Sequence, residues 1–264
     1  MRYQSYKALS IGIENRVATV VMNRPDTLNA IDEGMHAELA HIFIDLNEDP
    51  KVDVIILTGA GRAFSSGGDI RWMQAMIDEP ARFEKTAREG KQIVFSILDC
   101  EKPIIAKVNG HATGLGATIA LFCDAIFASE KAKIGDPHVS VGFVAGDGGA
   151  VIWPQLIGYA RAKEYLMTGD LIPASEAARI GLINRALPPQ ELDTYTNEFA
   201  ARLVGGAMKA IKWTKMSVNI GLKQLAHSIM DASISYEAQS NRTADHAEAV
   251  AAFREGRKPK FAGC

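Results

Sequence analysis

Cysteine is scarce in this chain of 264 residues, with Cys100, Cys123 and Cys264 the only three. Their spacing fits neither a zinc ligand set nor an even disulfide framework, which excludes a small stapled scaffold. With no apolar leader segment and three unpaired thiols, the expected setting is a reducing cytoplasm. Net charge is also nearly absent: 29 Lys and Arg face 31 Asp and Glu, leaving −2. The basic residues are scattered, so no nucleic-acid footprint is present. No low-complexity linker divides the chain. One apolar stretch, 103–123, is long enough for a membrane span, but Lys107, Asn109, His111 and the glycines at 110, 114 and 116 interrupt it. A membrane reading is rejected. What the chain does have is apolar content, 47%, ample for a large core.

That content is organised around Lys102–Asp124. Pro103 precedes an apolar β-branched run, Ile104 to Val108, which predicts a buried strand. Asn109-Gly110 breaks it, and Gly114-Leu115-Gly116 opens an apolar helix over 117–123. A helix entered through glycines presents unpaired N–H groups and the positive end of its dipole, suited to a phosphate or a developing oxyanion. A similar corner lies upstream, where the strand 54–58 leads through Gly61 to Asp69 into a helix. Two such corners supply two amides able to clasp one carbonyl oxygen. Nucleotide-binding readings fail on the residues: the third glycine of a dinucleotide fingerprint falls on Ile119 or Phe64. A nucleophile elbow around Ser66 also needs glycine where Phe64 stands.

Along the chain, alternation predicts a two-strand hairpin over 11–22, and Asp32 is placed to cap a helix over 33–47. A helical region over 70–98 is broken near Asp78-Glu79-Pro80, with Asp69 placed to cap its start. Short strands follow at 125–129 and 133–135, then helices at 148–156, 160–167, 174–180, 190–204, 206–221, 225–241 and 244–255. Strand–helix alternation followed by helices alone predicts an α/β core with a helical C-terminal region.

The segments GRAFSSGGDI at 61–70 and KPIIAKVNGHATGLG at 102–116 resemble the two signature segments of the crotonase (enoyl-CoA hydratase/isomerase) superfamily. The likeness extends to NRPDTLNAI at 23–31, LMTGD at 166–170, AARIGLIN at 177–184 and AFREGRKPKF at 252–261. It implies a spiral of repeated ββα units over 1–200, a helical trimerisation region over 201–264, and a homotrimer or homohexamer. It implies an acyl-CoA or related carbonyl substrate, with no cofactor beyond the coenzyme A that the substrate carries and no metal. The oxyanion hole falls on the backbone N–H groups of Gly68 and Leu115.

The two glutamates that the hydratases use fall on Thr118 and His138, so neither carboxylate is present. His138 and Asp147 are the expected replacements, with His138 as a free-base imidazole and Asp147 orienting it. That pair, nine positions apart, resembles the β-diketone hydrolases of the superfamily (the oxocamphor hydrolase type), for which Glu237 is the matching third group. The other readings of these residues are a hydrogen-bonded structural histidine, an Asp147 that caps the next helix, and a solvated Glu237. Three functions stay open: acyl-CoA enolate chemistry, CoA-independent C–C hydrolysis of a β-diketone, and non-catalytic acyl-CoA binding. The resemblance places CoA contacts at Asn29, Ala30, Ala63, Ser65, Ser66, Gly67, Phe253 and Lys258, with Trp72, Met73, Met76 and Trp153 as candidates for the pocket wall.

Overall fold

The structure is a computed structural model and describes residues 3–264. It opens with the hairpin β1 (Leu9–Glu14) and β2 (Val17–Met22), antiparallel with Leu9 opposite Met22. Its two-residue turn puts Asn15 and Arg16 at φ 48° and 67°, the left-handed pair that matches strand twist in tight hairpins. Helix α1 (Glu33–Glu48) follows, capped by the Asp32 carboxylate, which accepts from the Met35 N–H at 2.9 Å.

Three strand pairs then repeat one design. They are β3 (Val54–Gly59) with β4 (Ala63–Ser65), β5 (Ile104–Val108) with β6 (His111–Thr113), and β7 (Ala125–Ser129) with β8 (Lys133–Gly135). In each pair the first strand joins a six-stranded sheet and the second a four-stranded one. Helices α2 (Ile70–Asp78) and α3 (Arg82–Asp99) follow the first pair, and α4 (Leu115–Phe122) the second. After the third come α5 (Gly149–Ile157), α6 (Tyr159–Thr168), strand β9 (Ile172–Pro173), α7 (Ala174–Arg179) and strand β10 (Arg185–Leu187). The chain ends in α8 (Pro189–Val204), α9 (Met208–Ser240) and α10 (Ala244–Glu255). The large sheet runs β1-β2-β3-β5-β7-β10, and the small one β4-β6-β8-β9. This is the α/β spiral of repeated units implied by the resemblance.

The central strands β3, β5 and β7 of the large sheet are buried on both faces, which is why they read as apolar runs rather than alternating ones. Ile55, Leu57, Ile104 and Ala106 pack into the main core with Leu39 and Phe43 of α1. Their neighbours Val54, Ile56 and Ile105 face Leu192 and Ala200 of α8. Since α8 covers the sheet, the division expected at residue 200 runs through a helix that belongs to the core.

Two expectations change. The C-terminal helix was expected to break between 221 and 225, yet α9 runs unbroken for 33 residues. Gly221 costs roughly 1 kcal/mol relative to alanine in a helix interior, but Leu222 within the expected break and Leu225 and Ile229 after it pack against the core. That burial outweighs the glycine. The short strands β4, β6, β9 and β10, two or three residues each, were not foreseen, because so few residues carry no readable period. Among the described residues no helix is long and apolar enough to cross a membrane. All three cysteines are free, Cys100 and Cys123 buried and Cys264 exposed.

Candidate active site

The two glycine corners meet. Ile31 N–H donates to Gly67 O at 2.7 Å, and Asp69 N–H donates to Ile31 O at 2.9 Å. This short parallel bridge turns the intervening Gly68 N–H away, and among the described residues it donates to no protein acceptor. At the second corner Gly114 N–H donates to Gly135 O and Thr118 N–H to Gly114 O, both at 3.0 Å, while the Leu115 N–H has no protein partner among the described residues. A side chain at Gly67 would lie 2.9 Å from Thr113 O and 3.6 Å from Gly114 Cα. With φ of +82° and +54° at Gly67 and Gly114, only glycine fits this contact without strain. Gly68 and Leu115 both line one pocket, a narrow cavity of about 50 Å³.

The pocket's charged wall comes from three further elements. Beyond β8 the chain passes Asp136 and Pro137 into a short 3₁₀ turn, His138–Val141, closed by Gly142 at φ +63°. The His138 ring lies nearly parallel to Phe143, with centroids 6.0 Å apart. Its Nδ1 donates to Asp136 Oδ1 in a very short contact, and its Nε2 lies 3.5 Å from Asp147 Oδ2. Asp147 sits in the glycine turn before α5, and its other oxygen accepts from Thr118 Oγ1 at 3.3 Å. Glu237 reaches the same wall from α9. It comes close because Gly146 has no side chain: a Cβ there would lie 2.7 Å from Glu237 Cβ.

Four ionisable groups, Asp136, His138, Asp147 and Glu237, are thereby buried together. Burial alone would lower the His138 pKa, but the fields of Asp136 and Asp147, the Asp136 hydrogen bond and Glu237 push it up to about 10. His138 is therefore an imidazolium at neutral pH, which corrects the expected free base. Burial raises Asp147, against the opposing pull of His138. Burial, and then the Asp147 charge, raise Glu237 well above the ordinary carboxylate range. The imidazolium lies between the Asp136 and Asp147 carboxyl groups, with the Glu237 carboxyl, shifted toward its protonated form, beside it.

Asp136, His138 and Asp147 also offer metal-type ligand atoms within 4.8 Å of one another. An imidazole gives a metal one ring nitrogen, and here each nitrogen already faces a carboxylate. The set is an ion-paired chain. Asp136 Oδ2 is buried without a partner, at the spot where a side chain on Gly149 would sit 2.2 Å away.

Of the residues singled out in the sequence, Gly68, Leu115, His138, Asp147 and Glu237 all line this pocket, as do Trp72, Met73 and Met76. Trp153 does not: it is fully buried in the core. The Asn29 side chain is spent on Ala60 O and Ala63 O, both at 2.9 Å, and Ser65 Oγ donates to Asn29 O at 2.8 Å. These two side chains hold loop 24–30 against β4 and are themselves spent on the protein. Ser66 is exposed, with its hydroxyl on Thr27 O, and Phe253 and Lys258 are exposed at the C-terminal end. Three participants escaped the sequence reading. Asp136 was legible only as the residue two before His138, Thr118 only as a vacated carboxylate position, and His36 was hidden on the apolar face of α1.

The enoyl-CoA hydratase/isomerase family model matches residues 12–263. Crotonyl-CoA hydratase of Syntrophomonas wolfei is 34% identical over 97% of this chain and 98% of its own length. Short-chain-enoyl-CoA hydratase of Clostridium acetobutylicum is 36% identical over 93% and 94%. The crystal structure of an enoyl-CoA hydratase/isomerase from Mycobacterium paratuberculosis superposes with a TM-score of 0.89 at 34% identity, covering 92% of this chain and 97% of that one. With the two glycine corners and the spiral of strand pairs, these likenesses show that the chain belongs to the enoyl-CoA hydratase/isomerase family.

Proposed function

We propose that this protein acts on a short acyl-CoA thioester through an enolate, with His138 and Asp147 in place of the usual pair of glutamates. The observation that carries the reading is one pocket holding two unbonded backbone amides, Gly68 and Leu115, beside a buried imidazolium–carboxylate pair. The amides take the thioester oxygen as it gains charge, an effect worth about 10²–10³-fold per donor. In hydration, Asp147 takes a proton from water as the water oxygen bonds to the β-carbon, and the π electrons move to the thioester oxygen. The enolate then takes a proton at its α-carbon from His138 Nε2. Proton transfer from Asp147 to the now neutral imidazole across their short gap restores the cluster. Thr118 holds Asp147 in register, and Asp136 holds the ring.

CoA would lie along the backbone of loop 24–30 and β4, with Phe253 and Lys258 at the outer end. Exposed Trp213, Val218 and Ile220 on α9 support self-association, as a trimer or hexamer.

The test is incubation of butyryl-CoA with the protein in D₂O. Enolate chemistry exchanges the α-protons, and His138→Gln slows that exchange at least 10²-fold. Binding without exchange or turnover supports an acyl-CoA-binding protein instead. A second reading has one observation in its favour: Glu237 joins His138 and Asp147 in the pocket, the three-group set of the β-diketone hydrolases. Cleavage of a cyclic β-diketone together with no affinity for CoA esters would put that reading first.

A further inference from the structure

A second histidine in the pocket has no part in the chemistry above. His36 on α1 is only 2% exposed, and its Nδ1 lies 2.9 Å from Glu89 Oε2 on α3. The ring packs against Trp72, with centroids 5.0 Å apart. Its other nitrogen, Nε2, makes no hydrogen bond among the described residues, and it lies 3.9 Å from the position a side chain on Gly90 would take. Gly90 thus leaves that nitrogen uncovered, and both residues line the pocket. Buried imidazole nitrogens are normally satisfied, so a nitrogen left open toward a pocket is one that a ligand can complete.

The identity of the ligand atom follows from the proton. Burial acts to raise the Glu89 carboxyl, but the His36 hydrogen bond and charge, together with Lys85, hold it below the usual range. Glu89 is an acceptor, so a His36 proton sits on Nδ1, and Nε2 is the nitrogen left to face the pocket. A hydroxyl, which both donates and accepts, can complete it. His138 flanks the two amides, its Cε1 3.6 Å from where a side chain on Gly114 would sit. His36 belongs instead to the α1–α3 wall beside Trp72.

Resting on the acyl-CoA reading, we infer that His36 is a specificity residue that hydrogen-bonds through Nε2 with a hydroxyl on the acyl chain beyond the β-carbon. Glu89 is its positioning residue, holding the ring through Nδ1. The preferred ligands are hydroxyacyl thioesters over unsubstituted ones of equal length.

Titration calorimetry of the full chain with 4-hydroxybutyryl-CoA and butyryl-CoA tests this. Wild type is expected to bind the hydroxy ester about tenfold tighter, the usual worth of one hydrogen bond to an otherwise unpaired buried group. In His36→Phe the ratio falls to about 1 while butyryl-CoA still binds. If that variant fails to fold, Glu89→Gln decides: a reduced ratio supports the inference and an unreduced one overturns it. Equal binding of the two esters by wild type, or a ratio that survives His36→Phe, also overturns it. Binding of neither ester by wild type overturns the acyl-CoA reading itself, and the inference falls with it.

Discussion

His138 Nε2 faces Asp147 Oδ2 across 3.5 Å, and both groups are buried in the wall of the pocket. The imidazole is held by Asp136 on its other side, so one cationic ring lies between two buried carboxyl groups in a place with little water. Removing it strands both. Loss of one partner from a buried ion pair costs about 3–5 kcal/mol. His138→Ala is therefore expected to lower stability to denaturant by that order as well as lowering the rate per folded molecule. A variant that unfolds at the wild-type midpoint would show that the two carboxylates are not charged against it.

The pH dependence has a definite sign. The folded His138 pKa is about 10, above the ordinary 6.5. A raised histidine contributes stability that is fully present below pH 6.5 and lost as pH rises through about 10. Because the ring acts as an acid in the enolate scheme, the rate should fall through the same alkaline range. Denaturation midpoints of wild type and His138→Gln at pH 7 and 10.5 separate this contribution from the other titrating groups. The gap between the two proteins should narrow at the higher pH. A rate that rises with pH between 6 and 8 through a histidine titration would restore the free-base reading.

Asp136→Asn keeps the shape of the side chain and removes its charge. Asp136 acts through the ring rather than on the substrate, so its variant should lower the His138 pKa and carry the alkaline limb of the rate profile down with it. NMR titration of the His138 ring checks the first effect and a pH–rate series the second. A loss of rate with an unmoved alkaline limb would make Asp136 a packing residue only.

How much of this could be read beforehand depends on range. The glycine corners were legible because a strand, a glycine pair and an apolar helix are consecutive in the chain, and the Gly67–Gly114 contact follows once both corners are recognised. The substitution of both glutamates was legible position by position. Charge state was not. His138 as a base was a sound expectation for a solvated imidazole, but it is reversed by Asp136 from its own loop, Asp147 from the next turn and Glu237 from α9. Those three meet only through tertiary packing. His36 was lost for a related reason: on α1 it stands between Met35 and Leu39 on a buried face, where a histidine in sequence looks like core.

Asp69 is a structural carboxylate. Its Oδ1 accepts from the Arg71 N–H at 2.9 Å at the start of α2, and its Oδ2 meets Arg24 at 3.2 Å. Asp69→Ala should cost about 0.5–2 kcal/mol, the usual worth of an N-cap, seen as a lower urea midpoint. The rate per folded molecule should stay within a few-fold of wild type. A rate loss of 10²-fold at full folding would move Asp69 into the chemistry.

In the proposed reading the oxyanion hole is made of backbone amides, and glycine variants test that directly. At Gly68 an added methyl would meet only the flexible end of Met73, 2.6 Å from its Cε. Met73 can swing aside, so Gly68→Ala keeps the amide in place and should act mainly on KM, by narrowing the pocket. At Gly67 the same methyl meets Thr113 O at 2.9 Å with φ at +82°, and neither the carbonyl nor the backbone angle can yield without moving Gly68. Gly67→Ala should therefore cost kcat by 10² or more, in line with the loss of one hole donor. Leu115→Ala leaves its amide untouched and should lose less than tenfold in kcat. The ordering of kcat loss, Gly67→Ala far above Gly68→Ala and Leu115→Ala, is the outcome that the geometry requires. Comparable kcat losses in all three would mean that side-chain packing, rather than two convergent amides, supports the reaction.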